Sequence, residues 1–142
     1  MEEHATALAD AIVVALPGWV ERCVAGRLPT PDPAAMAAAT EAGRRAAAEV
    51  GAGVRALLAL DIDEQRTTPL SLLRAAVRYP TEVLQAAGVP PVDRDPIQAR
   101  LLPDDPYDLN PARFADVDPA LAEPGMMWGA AKALAHRRRH AP

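Results

Sequence analysis

The sequence predicts an all-α protein: an up-and-down helical bundle, a Pro- and Asp-rich segment that wraps it, and a C-terminal helix docked on the bundle. Alanine, a strong helix former, accounts for 32 of the 142 residues, whereas the aromatic residues that favour strands make up 4%. Prolines are concentrated late in the chain, with eight of the 15 between Pro90 and Pro124. We expect a single domain over 1–142, with the long-helix bundle in 1–88, the wrapping segment in 89–123, and the last helix with a basic tail in 124–142.

The first helix is expected to start near Glu2, because acidic residues suit the positive end of the helix dipole. Pro17 supplies no amide hydrogen, so the helix should kink or restart there, and Gly26 is expected to stop it. Apolar residues at three- and four-residue spacing continue past the proline and predict one buried stripe. The members of this stripe are Leu8, Ile12, Ala15, Trp19 and Cys23.

The second helix should begin at Pro33, because Asp32 offers an N-cap carboxylate before a proline at the first helical position. It should end near Leu60. One face carries mostly small residues, which allow a neighbouring helix to approach closely in a helical hairpin or a coiled pair. We assign this face to partner binding. Its members are Met36, Gly43, Ala47, Val50 and Val54.

The third helix opens at Thr68-Pro69 with the same cap-and-proline signal and ends at Gly88. Tyr79-Pro80 should kink or restart it, since the residue before a proline is pushed out of the helical region. The same stretch could be drawn as a helix-turn-helix. Its second segment, however, has no Arg or Lys, and Glu82 would repel phosphate, so the kinked helix is the preferred interpretation.

The densest polar cluster lies in the wrapping segment and contains Asp104, Asp105 and Asp108. Carboxylates on a loop are the ligands that Mg²⁺ and Ca²⁺ require, but the spacing lacks the glycine and the closing Glu of an EF-hand. The preferred interpretation is that these residues cap turns, with Asn110-Pro111 and Asp118-Pro119 as start signals. Single helical turns are expected over 96–101 and 111–114.

The last helix is expected from about Pro124 to Arg139. Met127 and Trp128 suit a partner surface or, in the preferred interpretation, attachment of this helix to the body. His136 and His140 are four residues apart, as in zinc sites, yet no Glu follows His136. The basic tail complements the negative end of the helix dipole or binds an acidic partner. It contains Arg137, Arg138 and Arg139.

Charge and cysteine content exclude several classes of function. The net charge of −4 removes a general attraction to nucleic acid or anionic membranes. The single cysteine, Cys23, forms neither an internal disulfide nor a CxxC pair. The acidic start does not suit a signal peptide, and the apolar run over 11–20 is too short for a bilayer. We therefore expect a cytoplasmic protein without membrane insertion.

Three stretches of the C-terminal half carry a resemblance: Pro-Asp-Asp-Pro-Tyr-Asp-Leu over 103–109, Phe-Ala-Asp over 114–116 and Trp-Gly-Ala-Ala-Lys-Ala over 128–133. In these stretches the chain resembles small bacterial proteins from GC-rich genomes for which no activity is known. The resemblance implies no activity and assigns no catalytic residue.

Together these features favour a non-catalytic helical interaction module that self-associates or forms a subunit of a larger assembly, without a cofactor. A homodimer is expected, because an alanine-rich chain has few bulky side chains for a core of its own. The alternative is a metal-dependent or small-ligand-binding enzyme. It would use Asp104, Asp105, Asp108 and His136.

Overall fold

The computed structural model describes residues 2–58 and 68–139, and within them the fold is all-α and contains no strand, as predicted. The helices are α1 (Glu2–Arg27), α2 (Pro33–Leu58), α3 (Pro69–Ala75), α4 (Arg78–Ala86), α5 (Pro96–Leu101), α6 (Phe114–Val117), a 3-10 turn (Pro119–Leu121) and α7 (Ala122–Arg139). The expected end of the second helix near Leu60 lies outside the described residues, as does His140. Among the helices described, none is both long and apolar enough to cross a membrane.

The two long helices, α1 and α2, form an antiparallel hairpin against which α3 and α4 pack. Contacts run in opposite directions along the two helices: Asp10 pairs with Arg55 (2.6 Å), and further along α1 the Glu21 carboxylate accepts a hydrogen bond from Thr40 Oγ1 (2.9 Å). Small residues on the inner side of α2 let the backbones approach closely. They are Ala35, Ala39, Ala42, Gly43, Ala46 and Gly51.

The apolar stripe predicted for α1 is confirmed, because its first four members are buried and Cys23 is half-buried. The predicted restart at Pro17 is wrong, because α1 continues through this residue as one helix. Leu16 and Val20, on either side of the proline, are both fully buried in the core. This burial outweighs the loss of one ladder hydrogen bond at Pro17.

Three of the predicted helix starts are confirmed by side-chain caps. Asp32 Oδ1 accepts a hydrogen bond from the Ala35 amide (3.1 Å) at the start of α2. Thr68 Oγ1 accepts from the Ser71 amide (3.2 Å) at the start of α3, and Asp118 Oδ1 accepts from the Ala120 amide (2.9 Å) at the 3-10 turn. In each case a proline follows the cap, where its fixed backbone suits the first helical position.

The kink predicted in the third helix is confirmed, but it lies earlier than expected. The helix breaks over 76–77 and restarts as α4 at Arg78, before Tyr79-Pro80. The restart places Pro80 in the first turn of α4, where an amide hydrogen would have no helical acceptor. The proline therefore sets the position of the restart rather than the position of the break.

The helical turn expected over 111–114 is displaced to Phe114–Val117. The reason is Asp116, whose Oδ2 accepts hydrogen bonds from the Arg113 amide (3.0 Å) and the Ala112 amide (3.0 Å). These bonds, together with the Arg113 guanidinium, hold the pKa of Asp116 below its usual value. The Asp116 carboxylate thus places the start of α6 at Phe114, three residues after Pro111, where the sequence predicts the turn to begin.

The wrapping segment is held to the bundle by arginines that donate hydrogen bonds to its carbonyl groups. Arg22 Nη2 donates to the Val117 carbonyl (2.6 Å) and Arg27 Nε donates to the Tyr107 carbonyl (3.0 Å). Tyr107 is itself buried, and its hydroxyl donates to the Val89 carbonyl (2.6 Å). Because the guanidinium is planar and rigid, each arginine fixes the position of the peptide groups of the segment to which it donates.

Candidate functional site

The small-residue face of α2 lies within the chain rather than on its surface. Gly43 and Val54 are buried in the hairpin with α1, which corrects their assignment to partner binding. Met36, Ala47 and Val50 are half-buried and pack against the same core. The small residues of α2 do allow a neighbouring helix to approach closely, as predicted, but that helix is α1 of the same chain.

The Asp-rich loop is organised around Asp105, which is buried. Its carboxylate accepts hydrogen bonds from the Leu109 amide (2.8 Å), the Asn110 amide (3.0 Å) and Asn110 Nδ2 (2.6 Å). Asp104 and Asp108 are exposed, and Asp108 has a left-handed backbone (φ 56°). The capping interpretation is therefore confirmed for Asp105, whose oxygens are committed to the loop itself.

The predicted metal ligands are not brought together. Within residues 2–58 and 68–139, no three His, Cys, Asp or Glu side chains are arranged to hold a metal ion. Asp104, Asp105 and Asp108 belong to the wrapping segment, whereas His136 lies exposed on α7. The alternative of a metal-dependent enzyme built on these four residues thus has no support in the described geometry.

The inner face of α7 attaches this helix to the body. Gly125 is buried against Phe114, so closely that a Cβ at this position would lie 2.5 Å from Phe114 Cδ2. Trp128 is half-buried and packs against the core, and its Nε1 is buried without a hydrogen-bond partner among the described residues. Lys132 Nζ lies 4.8 Å from the Trp128 ring centroid in a cation–π contact. The preferred interpretation, that Trp128 attaches α7 to the body of the protein, is confirmed.

The outer face of α7 carries a different set of side chains. Met126 is 68% exposed, Met127 45% and Leu134 43%, and the small Ala130 between them is also exposed. Residues 123, 127, 130, 134 and 137 follow one another at spacings of four and three, the repeat of helix pairs in coiled coils. We call this surface the outer face. It consists of Glu123, Met126, Met127, Ala130, Leu134, Arg137 and Arg138.

The two ends of the outer face have opposite charge. Glu123 is exposed in the first turn of α7, and Arg137 and Arg138 are exposed near its end. Both positions match the helix dipole. Arg139 is the last residue of the helix. Of these residues, sequence reasoning identified Met127 and the arginines as partner residues but missed Glu123 and Leu134, although the four-three spacing was available to find them.

A polar cluster joins α2 to α4. The Tyr79 hydroxyl donates a hydrogen bond to Glu49 Oε2, and Arg78 Nη2 donates to the same carboxylate oxygen (2.6 Å). The guanidinium of Arg78 also lies 4.8 Å from the Tyr79 ring centroid. The hydrogen bond from Tyr79 and the charge of Arg78 lower the pKa of Glu49. Burial and the Glu49 carboxylate raise the pKa of Tyr79.

The chain's one thiol is an inert core group. Cys23 is half-buried on the α1 stripe, and burial raises its pKa to about 12, even though Arg22 and Arg27 act in the opposite direction. A thiol with so high a pKa is protonated at neutral pH and is a poor nucleophile. Cys23 therefore supports no covalent catalysis.

Comparisons of the chain with known protein families, with curated proteins and with solved structures found no match.

Proposed function

We propose that the protein is a non-catalytic interaction module that self-associates through the outer face of α7, with a second copy of the chain as partner. The observation that carries this proposal is the exposure of Met126, Met127 and Leu134 on one helix face between ends of opposite charge. Exposed apolar patches bordered by charged residues are typical of interaction surfaces, and methionine adapts readily to a partner.

An antiparallel pair of α7 helices makes this face complementary to itself. Met126 and Leu134 lie four positions before and after Ala130. In an antiparallel pair centred on Ala130, Met126 of each chain therefore contacts Leu134 of the other chain. Glu123 and Arg137 lie seven positions to either side and also meet as an opposite-charge pair. A single two-fold contact therefore satisfies the apolar centre and both charged ends.

A parallel pair is disfavoured on the same residues. It would place Glu123 beside its own copy and Arg137 and Arg138 beside theirs, and it would align the two helix dipoles. Charge alone thus selects the antiparallel arrangement.

The association should be weak. The helix has 18 residues, which makes it about 27 Å long. One helix pair of this length covers less than the roughly 800 Å² per partner that a standard interface buries. We expect a dissociation constant in the micromolar range, which suits a regulated or assembly-dependent contact. We place this association in the cytoplasm, where a chain with one cysteine and no internal disulfide is typical.

Sedimentation equilibrium from nanomolar to high micromolar protein tests the proposal. Leu134→Glu should abolish the dimer, because it places a charge at the apolar centre. Val14→Glu is the matched control, since Val14 is an aliphatic side chain on α1 that is 81% exposed. A wild-type chain that stays monomeric over the whole range, or a Leu134→Glu variant that dimerises like the control, would overturn self-association through α7.

Charge exchange tests the antiparallel orientation. Glu123→Arg alone should weaken the dimer, because each new arginine meets Arg137 and Arg138 of the partner subunit. Adding Arg137→Glu and Arg138→Glu in the same chain should restore it. In a parallel pair the single change only replaces one like-charge contact with another, so an unchanged dimer would exclude the antiparallel arrangement.

A further inference from the structure

Two of the sulfur-containing side chains within the described residues lie next to each other on the outer face of α7. They belong to Met126, which is 68% exposed, and Met127, which is 45% exposed. Met36 is partly buried and packs against the core of the hairpin, and Cys23 is half-buried on the α1 stripe. Exposed sulfur is therefore concentrated on the surface to which we assign self-association.

The thiol and the thioethers differ in how an oxidant reacts with them. A thiol reacts as its thiolate, and burial raises the pKa of Cys23 to about 12, so this group is protonated at neutral pH. A thioether has no proton to lose, and its sulfur lone pair reacts wherever solvent delivers the oxidant. Solvent access therefore sets the order among the methionines, and it places Met126 and Met127 before Met36.

The oxidation of a thioether by hydrogen peroxide needs no other reactant. The sulfur attacks one peroxide oxygen, the O–O bond breaks and an S–O bond forms. The departing hydroxide takes the proton of the transferred oxygen and leaves as water. Sulfur is oxidised by two electrons and the peroxide is reduced by two. The resulting sulfoxide returns to the thioether when a reductase oxidises two thiols to a disulfide and releases water.

Met126 occupies the more sensitive of the two positions. In the antiparallel pair it contacts Leu134 of the partner subunit, and the two-fold axis makes this contact occur twice in each dimer. Met127 also borders His4 and Ala7 at the start of α1, across a small groove of its own chain. A change at Met126 therefore alters two apolar contacts between the subunits.

A sulfoxide does not suit the apolar centre of the pair. Its oxygen is a hydrogen-bond acceptor, and burying an acceptor without a donor is unfavourable. Leu134 and Ala130, the side chains around the contact, carry no donor. In the separated chains the same oxygen is hydrated. Oxidation therefore stabilises the monomer relative to the dimer.

We infer that Met126, with its neighbour Met127, is a reversible oxidation site, and that its conversion to the sulfoxide by a peroxide dissociates the self-associated chain. This inference rests on the proposed function, because it assigns regulation to the same face. A micromolar dissociation constant suits such regulation, since free monomer, in which Met126 is exposed, is always present to react.

Peptide mapping by mass spectrometry tests the site. The wild-type chain is treated with hydrogen peroxide at nanomolar protein, where the monomer dominates, and the reaction is quenched with free methionine at increasing times. Sulfoxide should form first at Met126, next at Met127 and last at Met36. Equal rates at Met126 and Met36, or the reverse order, would overturn the assignment.

Sedimentation equilibrium before and after peroxide treatment tests the effect on association. The oxidised wild-type chain should associate about tenfold more weakly or less, the effect expected for buried acceptors without donors. Methionine sulfoxide reductases with dithiothreitol should restore the original dissociation constant, which separates sulfoxide formation from damage that these enzymes do not repair. A chain with sulfoxide at Met126 that associates like the untreated chain would overturn the inference.

Two variants assign the effect to residues. A chain with Met126→Leu and Met127→Leu keeps apolar side chains of similar volume that accept no oxygen, so its own dissociation constant should be equal before and after peroxide. Met36→Leu is the matched control, because it removes a methionine outside the outer face, and its association should stay sensitive to peroxide. An insensitive control, or a double variant as sensitive as the wild-type chain, would overturn the inference.

Failure of this inference can be distinguished from failure of the proposed function. A chain that is monomeric before any oxidation overturns self-association and, with it, regulation by oxidation. A chain that dimerises and is insensitive to sulfoxide at Met126 overturns only the regulation, and self-association through α7 stands.

Discussion

Gly43 of α2 lies against the backbone of Pro17 of α1: a Cβ at position 43 would stand 2.8 Å from Pro17 Cα and 3.0 Å from its carbonyl oxygen. Two residues that weaken helices in isolation therefore meet in a close backbone contact of the hairpin. Gly43 leaves room for the backbone of α1, and Pro17 lies where α2 has no side chain that would clash with it.

Gly43→Ala should lower the free energy of unfolding by about 2 kcal/mol, because the new methyl group meets backbone atoms that cannot move aside. Gly26→Ala is the control: it lies in the same hairpin, and a Cβ there would meet nothing within 4 Å. We expect the control to be neutral or more stable by up to about 1 kcal/mol, the helix preference of alanine over glycine. Urea denaturation curves measure both. Equal stability of the two variants would contradict the close contact.

Asp105→Asn should destabilise the wrapping segment by about 2 kcal/mol, since an amide nitrogen would then face the N–H groups that the carboxylate accepts. Asp104→Asn, at an exposed neighbouring position, should change stability by less than about 0.5 kcal/mol. Thermal melts followed by circular dichroism measure the difference, and amide hydrogen exchange at Leu109 and Asn110 should accelerate only in the first variant. An unchanged exchange rate would refute the capping role.

Glu49 should contribute to the acid sensitivity of the fold. Its pKa in the folded state lies below the ordinary value of 4.5, so its stabilising effect is present above that value and is lost as the pH falls through the folded-state pKa. Glu49→Gln should therefore flatten the decline of melting temperature on the acid side, and Tyr79→Phe should flatten it partly. Glu41→Gln is the control: Glu41 lies two turns earlier on the same helix, pairs among the described residues only with the exposed Arg44 in the next turn, and its replacement should leave the slope unchanged.

The raised pKa of Tyr79 acts at the other end of the pH range. A tyrosine whose folded-state pKa lies above its ordinary value of 10 stabilises the fold below that value and loses this effect as the pH rises through the folded-state pKa. Alkaline unfolding should thus be less steep in Tyr79→Phe than in the wild-type chain. A spectroscopic titration of tyrosine absorbance at alkaline pH checks the direction of the shift.

Cys23 should react slowly with a thiol reagent in the folded protein. A rise in pKa from 9.0 to about 12 corresponds to an about 1000-fold smaller thiolate fraction at neutral pH. Val14→Cys provides the comparison, because it adds a second thiol at an exposed position of the same helix. Disulfide-exchange kinetics should show one fast group and one that reacts only on unfolding; two fast groups would contradict the buried thiol.

The parts of the fold that depend on neighbours in sequence were predictable. Asp32 and Thr68 cap the helices that follow them, α5 lies where the sequence predicts a helical turn, and the α1 stripe is buried as its spacing indicates. These features rest on hydrogen bonds and periodicities that span a few residues. The outer face of α7 could also be predicted in part, since the spacing of its residues and the charges at its two ends can be read from the sequence.

The helix class, most helix starts and the periodic faces of the helices therefore follow from residues that are close together in the sequence. Which surface each face meets depends on the packing of the whole chain: the small residues of α2 meet α1, Glu49 of α2 meets Tyr79 of α4, and Arg22 of α1 meets the Val117 carbonyl. Caps and stripes arise from local backbone geometry, whereas these contacts join residues far apart in sequence. Such contacts exist only once the whole chain has packed.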